Sequence, residues 1–206
     1  MIARVASIIV VSSLTHVAFP QGLVPIITAN DRLVVFDHGR FREVEPRKPQ
    51  QLAVVGDHLI YVDEKGRLKA CHDKQVRDLK VEGPVALRAS TGLVAFNSGS
   101  RLGIARAIGP LMLSNDAANV TVSDSLLAWH DRESGLLDLY YNGKVFNIAL
   151  VDSAVDRPQW KLGRNTFTCF EHATGTITLF HGGNITTLCD STDAAIVACG
   201  GDVVAY

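Results

Sequence analysis

Residues 123–148 read SDSLLAWHDRESGLLDLYYNGKVFNI. Three short apolar runs are separated by turn residues: LLAWHD from Leu126, LLDLYY from Leu136 and KVFNI from Lys144. Leu137, Leu139 and Tyr141 alternate with period two, as in a strand with one buried face. Gly135 supplies a turn that tolerates positive φ, and Asn142-Gly143 is the strongest two-residue hairpin signal. The stretch therefore predicts three antiparallel strands joined by tight turns.

The same pattern recurs along the chain. Its second hairpin, LLDLYYNGKVFNI from Leu136, aligns with RLVVFDHGRFREV from Arg32, RLKACHDKQVRDL from Arg67, RLGIARAIGPLML from Arg101 and TITLFHGGNITTL from Thr176. The residues before the turn are Phe36, Cys71, Ala105, Tyr141 and Phe180, spaced 35, 34, 36 and 39 residues apart. A second ladder, Tyr61, Phe96, Trp129, Phe170 and Tyr206, runs in step at 35, 33, 41 and 36. A third is formed by LAVVGD, ALRAST, VTVSDS, QWKLGRN and IVACGGD, short strands ending in small turns. Each unit thus has four strands, a to d. Gly39, Gly66, Gly175 and Gly182 fit turns, and no stretch has a sustained helical period.

Four-stranded meanders repeating at this length predict an all-β fold, a β-propeller of four-stranded antiparallel blades. Stacking covers both apolar faces of each meander. Small or β-branched a-strand residues, Val54, Val55, Ala86, Ala89, Val120, Val122, Ile196 and Ala198, fit crowded inner strands. Complete units occupy residues 52–80, 85–113, 120–150 and 160–188. Residues 24–44 hold b, c and d of another, and 194–199 hold a lone a-strand. Joining these makes about five blades, with the ring closed by strands from both termini. Residues 202–206 are then surplus: either this last strand displaces the N-terminal one from the b position, or the chain is truncated after Tyr206 and its parent continues into more blades.

Composition fits a folded protein: 47% hydrophobic, 20% charged and a net charge of −1. That charge leaves no field to attract nucleic acid, and no apolar run reaches the ~18 residues of an integral membrane segment. Arg40, Arg42, Arg47 and Lys48 are interleaved with Glu43 and Glu45 and read as a solvated edge. Residues 1–20, with Arg4 before VASIIVV, have the order of a signal peptide cut between Ala18 and Gly22. The domain proper is then 21–206, and the expected location is exported, periplasmic or extracellular. An ordinary strand is the alternative reading of VASIIVV. Cys71 and Cys169 stand where other repeats carry apolar residues and read as packed thiols; Cys189 and Cys199 flank one loop and could pair in an oxidising compartment.

The motifs VFDHGRFREVEP from Val35, VGDHLIYVDEKGRLK from Val55, SDSLLAWHDRESGLLDLYYNGKVFNI from Ser123 and LGRNTFTCF from Leu162 carry a resemblance. Over residues 24–206 the chain resembles uncharacterised exported bacterial β-propeller repeat proteins. The resemblance implies fold and export and no activity. The Gly-His…Trp-Asp pair of WD40 repeats and the repeating double-glycine pattern of kelch are not matched, and Arg106–Gly109 departs from the turn of its sister units.

No catalytic, cofactor-binding or metal-ligating residues are assigned from the sequence. His38, His72 and His181 fall at c–d turns of different blades and read as turn residues. Asp63, Glu64, Asp131, Glu133 and Glu171 lie in b–c turns; a ring of acids holding a sugar or cation is the sharper reading, ordinary polar turns the plainer one. Ser123-Asp124-Ser125 has no nucleophile-elbow context. Asn119 and Asn184 open glycosylation sequons on predicted strands. The a-strands carry only Arg88 and Lys161 as main ionisable exceptions, so no cluster of three ionisable groups is expected at the axis. The expected function is a non-catalytic binding or scaffolding propeller, monomeric, with a protein or glycan partner and no cofactor. The alternatives are a hydrolase or lyase acting on a glycan in the central funnel, and a structural repeat module of a larger exported protein.

Overall fold

A computed structural model describes residues 22–151, 159–171, 174–189, 198–200 and 202–205. The expected signal peptide and the pairing of Cys189 with Cys199 lie outside what is described. The described secondary structure is β throughout. The first sheet has three strands, β1 (Val24–Ile27), β2 (Leu33–Asp37) and β3 (Arg40–Glu45). The second is β4 (Gln51–Val55), β5 (His58–Val62), β6 (Leu68–His72) and β7 (Gln75–Asp78). The third is β8 (Val85–Ala89), β9 (Val94–Ser98), β10 (Arg101–Ile104) and β11 (Leu111–Ser114). The fourth is β12 (Ala117–Val122), β13 (Leu126–Asp131), β14 (Leu136–Tyr141) and β15 (Lys144–Leu150). The fifth is β16 (Gln159–Leu162), β17 (Thr166–Glu171), β18 (Thr176–His181) and β19 (Asn184–Cys189). Each is a meander whose neighbours in sequence are neighbours in the sheet. The predicted units agree with these sheets to within a few residues.

At the C-terminal end β20 (Ala198–Gly200) pairs with β21 (Val203–Ala205), so of the two strands expected to compete for the b position beside the a-strand, the last strand takes it and not 24–29. A short strand and a tight turn suffice to form that hairpin, and a sequence-adjacent partner costs little loop-closure entropy.

The register also corrects two rungs of the ladders. Phe36, Cys71 and Phe180 pair with Phe41, Val76 and Ile185 on the d-strands; the equivalent pair in the fourth sheet is Tyr140–Val145, so Tyr140 rather than Tyr141 is the rung. In the fifth sheet Phe167 pairs with Phe180, which puts Cys169 where the second sheet has Tyr61 and the fourth has Trp129. Phe170 is one residue out of step, on the opposite face. Tyr61, Phe96, Trp129 and Cys169 are all buried to within 1%. Cys71 and Cys169 are buried free thiols, as expected of packed cysteines, and burial pushes the Cys169 thiol up to about 12, with Glu171 adding to the shift.

The chain forms two compact units. One holds the described residues through Leu87 with Ala105–Pro110, the other Arg88–Ile104 with the described residues from Leu111 onward. In the first, Leu33, Val35, Leu59, Tyr61 and Cys71 pack together. In the second, Ala95, Leu102, Leu127 and Trp129 form one cluster, and Leu137, Leu139, Phe167 and Phe180 another. Within this second unit, successive a–b turns are stitched edge to edge. Ser90 Oγ donates to the Asp124 carbonyl at 3.4 Å, Ser123 Oγ to the Gly163 carbonyl, and Asn165 Nδ2 to Asp202 Oδ1 at 3.0 Å. The last of these bonds ties the β20–β21 turn into the row. The outer strands carry a recurrent irregularity: the d-strand registers skip Val44, Leu113 and Ile148, bulges that increase local twist.

Candidate functional site

Two turns of the second sheet bring chemistry-bearing residues together. The a–b turn is Gly56-Asp57, closed by the Val55–His58 pair; Gly56 takes a φ of +59°, which its lack of a Cβ permits. The c–d turn is Asp73-Lys74, both at positive φ (46° and 66°), closed by His72–Gln75. That is the I′ pattern that follows right-handed strand twist. Leu59 pairs with Cys71, so one step further His58 faces His72 across the ladder. Their ring centroids are 4.1 Å apart at 74°.

Asp57 completes the group. Its Oδ1 lies 2.7 Å from His58 Nδ1, and its Oδ2 lies 3.6 Å from His72 Nδ1. Neither Nδ1 makes a hydrogen bond, although both atoms are buried. The donor atoms of Asp57, His58 and His72 lie within 4.8 Å of one another. His72 Nε2 lies 3.1 Å from Asp73 Oδ2. A carboxylate there favours the tautomer with its proton on Nε2, which leaves a lone pair on Nδ1. Both histidine side chains are about one third exposed and Asp57 is mostly exposed, so the group opens to solvent.

A second polar cluster is buried. Asp63, 3% exposed, accepts the backbone N–H groups of Lys65 and Arg67 at 2.9 Å each and the Arg67 guanidinium at 2.7 Å. Lys69 Nζ lies 3.1 Å from Asp63 Oδ2 and 2.5 Å from Glu45 Oε1, which also accepts the Tyr61 hydroxyl at 2.8 Å. Burial by itself raises the Asp63 carboxyl; the bonds from Arg67, Lys69 and Lys65 overcome it and hold the group at about 2. Burial likewise opposes the Lys69 charge, and Glu45 and Asp63 reverse that shift upward. Every strong partner here is internal, which makes the cluster a structural one.

The residues singled out in the sequence are placed as follows. Asp63, Ser98, Asp131 and Glu171 occupy equivalent register positions at the start of each b–c turn, with Thr28 in the first sheet. Most of them visibly serve their own turn. Thr28 Oγ1 accepts from Arg32 N, Asp131 accepts from Glu133 N and Ser134 N, and Glu171 accepts from the Thr174 hydroxyl. For Asp131, burial is outweighed by the hydroxyl of Ser114 and those backbone donors, and its carboxyl lies below the usual range. Glu64 pairs with Arg47 at 2.6 Å. His38 is exposed against Asp37, and His181 is exposed. Of these three histidines, only His72 joins a group of three donor residues among the described residues. His58 has no repeat signal, since Leu126 and Thr166 stand at its position in the fourth and fifth sheets; its signal lies across one ladder, where a residue opening strand b faces one closing strand c. Asn119 lies in β12 at a φ of +53°, and Asn184 in β19, so both sequons sit on strands as predicted.

Comparison with known proteins agrees with the meander architecture. Residues 17–206 match the model of the 10-bladed beta propeller domain. The chain belongs to that family. No curated protein sequence matches it significantly. Among solved structures it is similar to the computationally designed Ika8 protein, at 13% identity and a TM-score of 0.44, over 88% of this chain and 63% of that one. It is also similar to human WBSCR16 (11%, 0.42, over 87% and 68%) and to Hsv2p of Kluyveromyces lactis (11%, 0.41, over 79% and 58%). The chain thus spans under two thirds of the designed protein's length. At these identities and TM-scores none of the three bears on function. No helix among the described residues is long and apolar enough to cross a membrane.

Proposed function

We propose that this propeller chain binds or scaffolds a protein or a glycan and is not an enzyme. The observation that carries the reading is the fate of the acids. A glycoside hydrolase needs two carboxyl groups facing one cleft. Asp63, Asp131 and Glu171 are each tied to their own turn, and Glu64 to Arg47. Meanwhile the d-strands expose apolar side chains at equivalent positions, Phe41, Val76, Val145 and Ile185, in four sheets. A panel of polysaccharides, presented both as an array and in solution, tests this. Retention on the array with no new reducing or unsaturated ends supports binding; release of either product would overturn it in favour of the hydrolase or lyase.

The β20–β21 hairpin favours a second reading, a repeat module within a larger exported propeller. The family has ten blades, and a paired a–b hairpin is the first half of a further blade. A five-blade ring in which β21 displaces 24–29 from the b position is the alternative. Scattering from the expressed chain distinguishes them, since a closed monomeric ring and an open arc differ in radius of gyration. Export through residues 1–20 belongs to the same reading; N-terminal sequencing of the mature protein after Ala18 to Gly22 tests it.

A further inference from the structure

We propose that Asp57, His58 and His72 form a divalent-cation site that takes zinc on two imidazole Nδ1 atoms and one carboxylate oxygen. Four features of the second sheet converge on it. The ladder holds the two histidines face to face, one on β5 and one on β6. Both Nδ1 atoms are buried with no hydrogen bond, although Asp57 approaches to 2.7 and 3.6 Å. A short approach without hydrogen-bonding geometry is what donors aimed at a common point produce. Tetrahedral zinc, with bonds of about 2.0–2.1 Å, sets its donors about 3.3 Å apart, between those two distances. Finally, Asp73 lies on the far nitrogen of His72, the outer-shell carboxylate that fixes tautomer and ring orientation in histidine–metal sites.

The donor set selects among cations. Imidazole nitrogens suit zinc and its transition-metal neighbours, whereas magnesium and calcium favour all-oxygen shells. Three protein donors leave one tetrahedral position facing solvent, where the Asp57 side chain is 70% exposed. That position can take water or an anionic or imidazole group from a ligand. The site rests on the geometry of one sheet and is independent of whether the propeller binds protein or glycan.

Calorimetric titration of the tag-free full chain with zinc chloride tests the proposal. The expected result is one saturable equivalent. His58→Asn and His72→Asn should each abolish it, and Asp73→Asn should weaken it about 10- to 100-fold. His181→Ala, which changes an exposed histidine at a c–d turn of another sheet, should leave it intact. Far-UV circular dichroism without metal checks that each variant is folded. If a variant is unfolded, X-ray absorption at the zinc edge of the wild-type chain decides, because the site requires two imidazoles in the first coordination sphere. No saturable equivalent in the wild type, binding unchanged in both histidine variants, or a spectrum without two imidazoles would overturn the assignment.

Discussion

The second and fourth sheets have the same topology and the same register between strands b and c, yet they fill the same polar position in opposite ways. Beside the buried aromatic of strand b, the second sheet pairs Tyr61 with Lys69, and the fourth pairs Trp129 with Asp138. Lys69 is held by Glu45 and Asp63, and Glu45 also takes the Tyr61 proton donor. Among the described residues Asp138 accepts from Asn147 Nδ2 at 2.6 Å, while Trp129 Nε1 and His130 Nε2 are buried without a hydrogen bond. The second sheet therefore balances its buried charge and the fourth does not. A repeat fixes backbone and apolar packing; what fills each polar niche is settled blade by blade.

The sharpest way to break this contrast is Asp63→Asn. It leaves Lys69 with one of its two carboxylates and weakens the turn that the acid caps. Removing one partner of a buried ion pair costs about 3–5 kcal/mol, and the asparagine, which keeps an acceptor for the turn, puts the loss at the lower end of that range. In a domain of this size that lowers the melting temperature by roughly 5–15 °C, measurable by calorimetry. The sign with pH follows from linkage. The folded Asp63 carboxyl is depressed from 3.8 to about 2, so its contribution is present above pH 3.8 and is lost as pH falls toward about 2. The variant should lack that part of the acid limb. An unchanged limb would mean that other carboxylates carry it.

Gly103 sharpens the comparison at the same register position in the third sheet. It pairs with Phe96, as Lys69 pairs with Tyr61. A Cβ there would lie 2.5 Å from Phe96 Cζ and 2.9 Å from the Leu111 carbonyl oxygen, so the ring fills the niche that a side chain fills elsewhere. Gly103→Ala should cost about 1–3 kcal/mol by overpacking. Combining it with Phe96→Leu should recover part of that loss in a double-mutant cycle. Additive losses would show that the ring does not occupy the niche.

These three niches also mark how far the sequence could be read. Period and turn chemistry disclosed the meanders because every blade repeats them: Asn142-Gly143 adopts φ of 46° and 85° as its type requires. Register was legible only to within one residue, since LYY and TCF each offer two adjacent candidates for one rung. That ambiguity hid Cys169 behind Phe170 and Tyr140 behind Tyr141. The Asp57–His58–His72 group was not legible by repeat comparison, because no other unit carries it. Its signal lay in pairing the first residue of one strand with the last of the next, which needs a register already fixed.

The smallest expected effect has the opposite sign to the first. Burial raises the Asp138 carboxyl, the Asn147 amide partly lowers it, Asp131 raises it further and His130 lowers it; the net shift is upward. The folded protein therefore binds that proton more readily than the unfolded chain. Stability gains from it below the folded pKa and loses the gain as pH rises through that value, so at neutral pH the ionised Asp138 is a net cost. Asp138→Asn keeps an acceptor for Asn147 and removes the charge. Its stability at pH 7 should match or exceed wild type, by no more than about 1 kcal/mol. The difference should shrink as the wild-type carboxyl protonates. The same Asp→Asn change would thus destabilise one sheet and not the other. A loss at Asp138 as large as that at Asp63 would mean that its charge is itself a stabilising partner in the fourth sheet, and the contrast between the two would collapse.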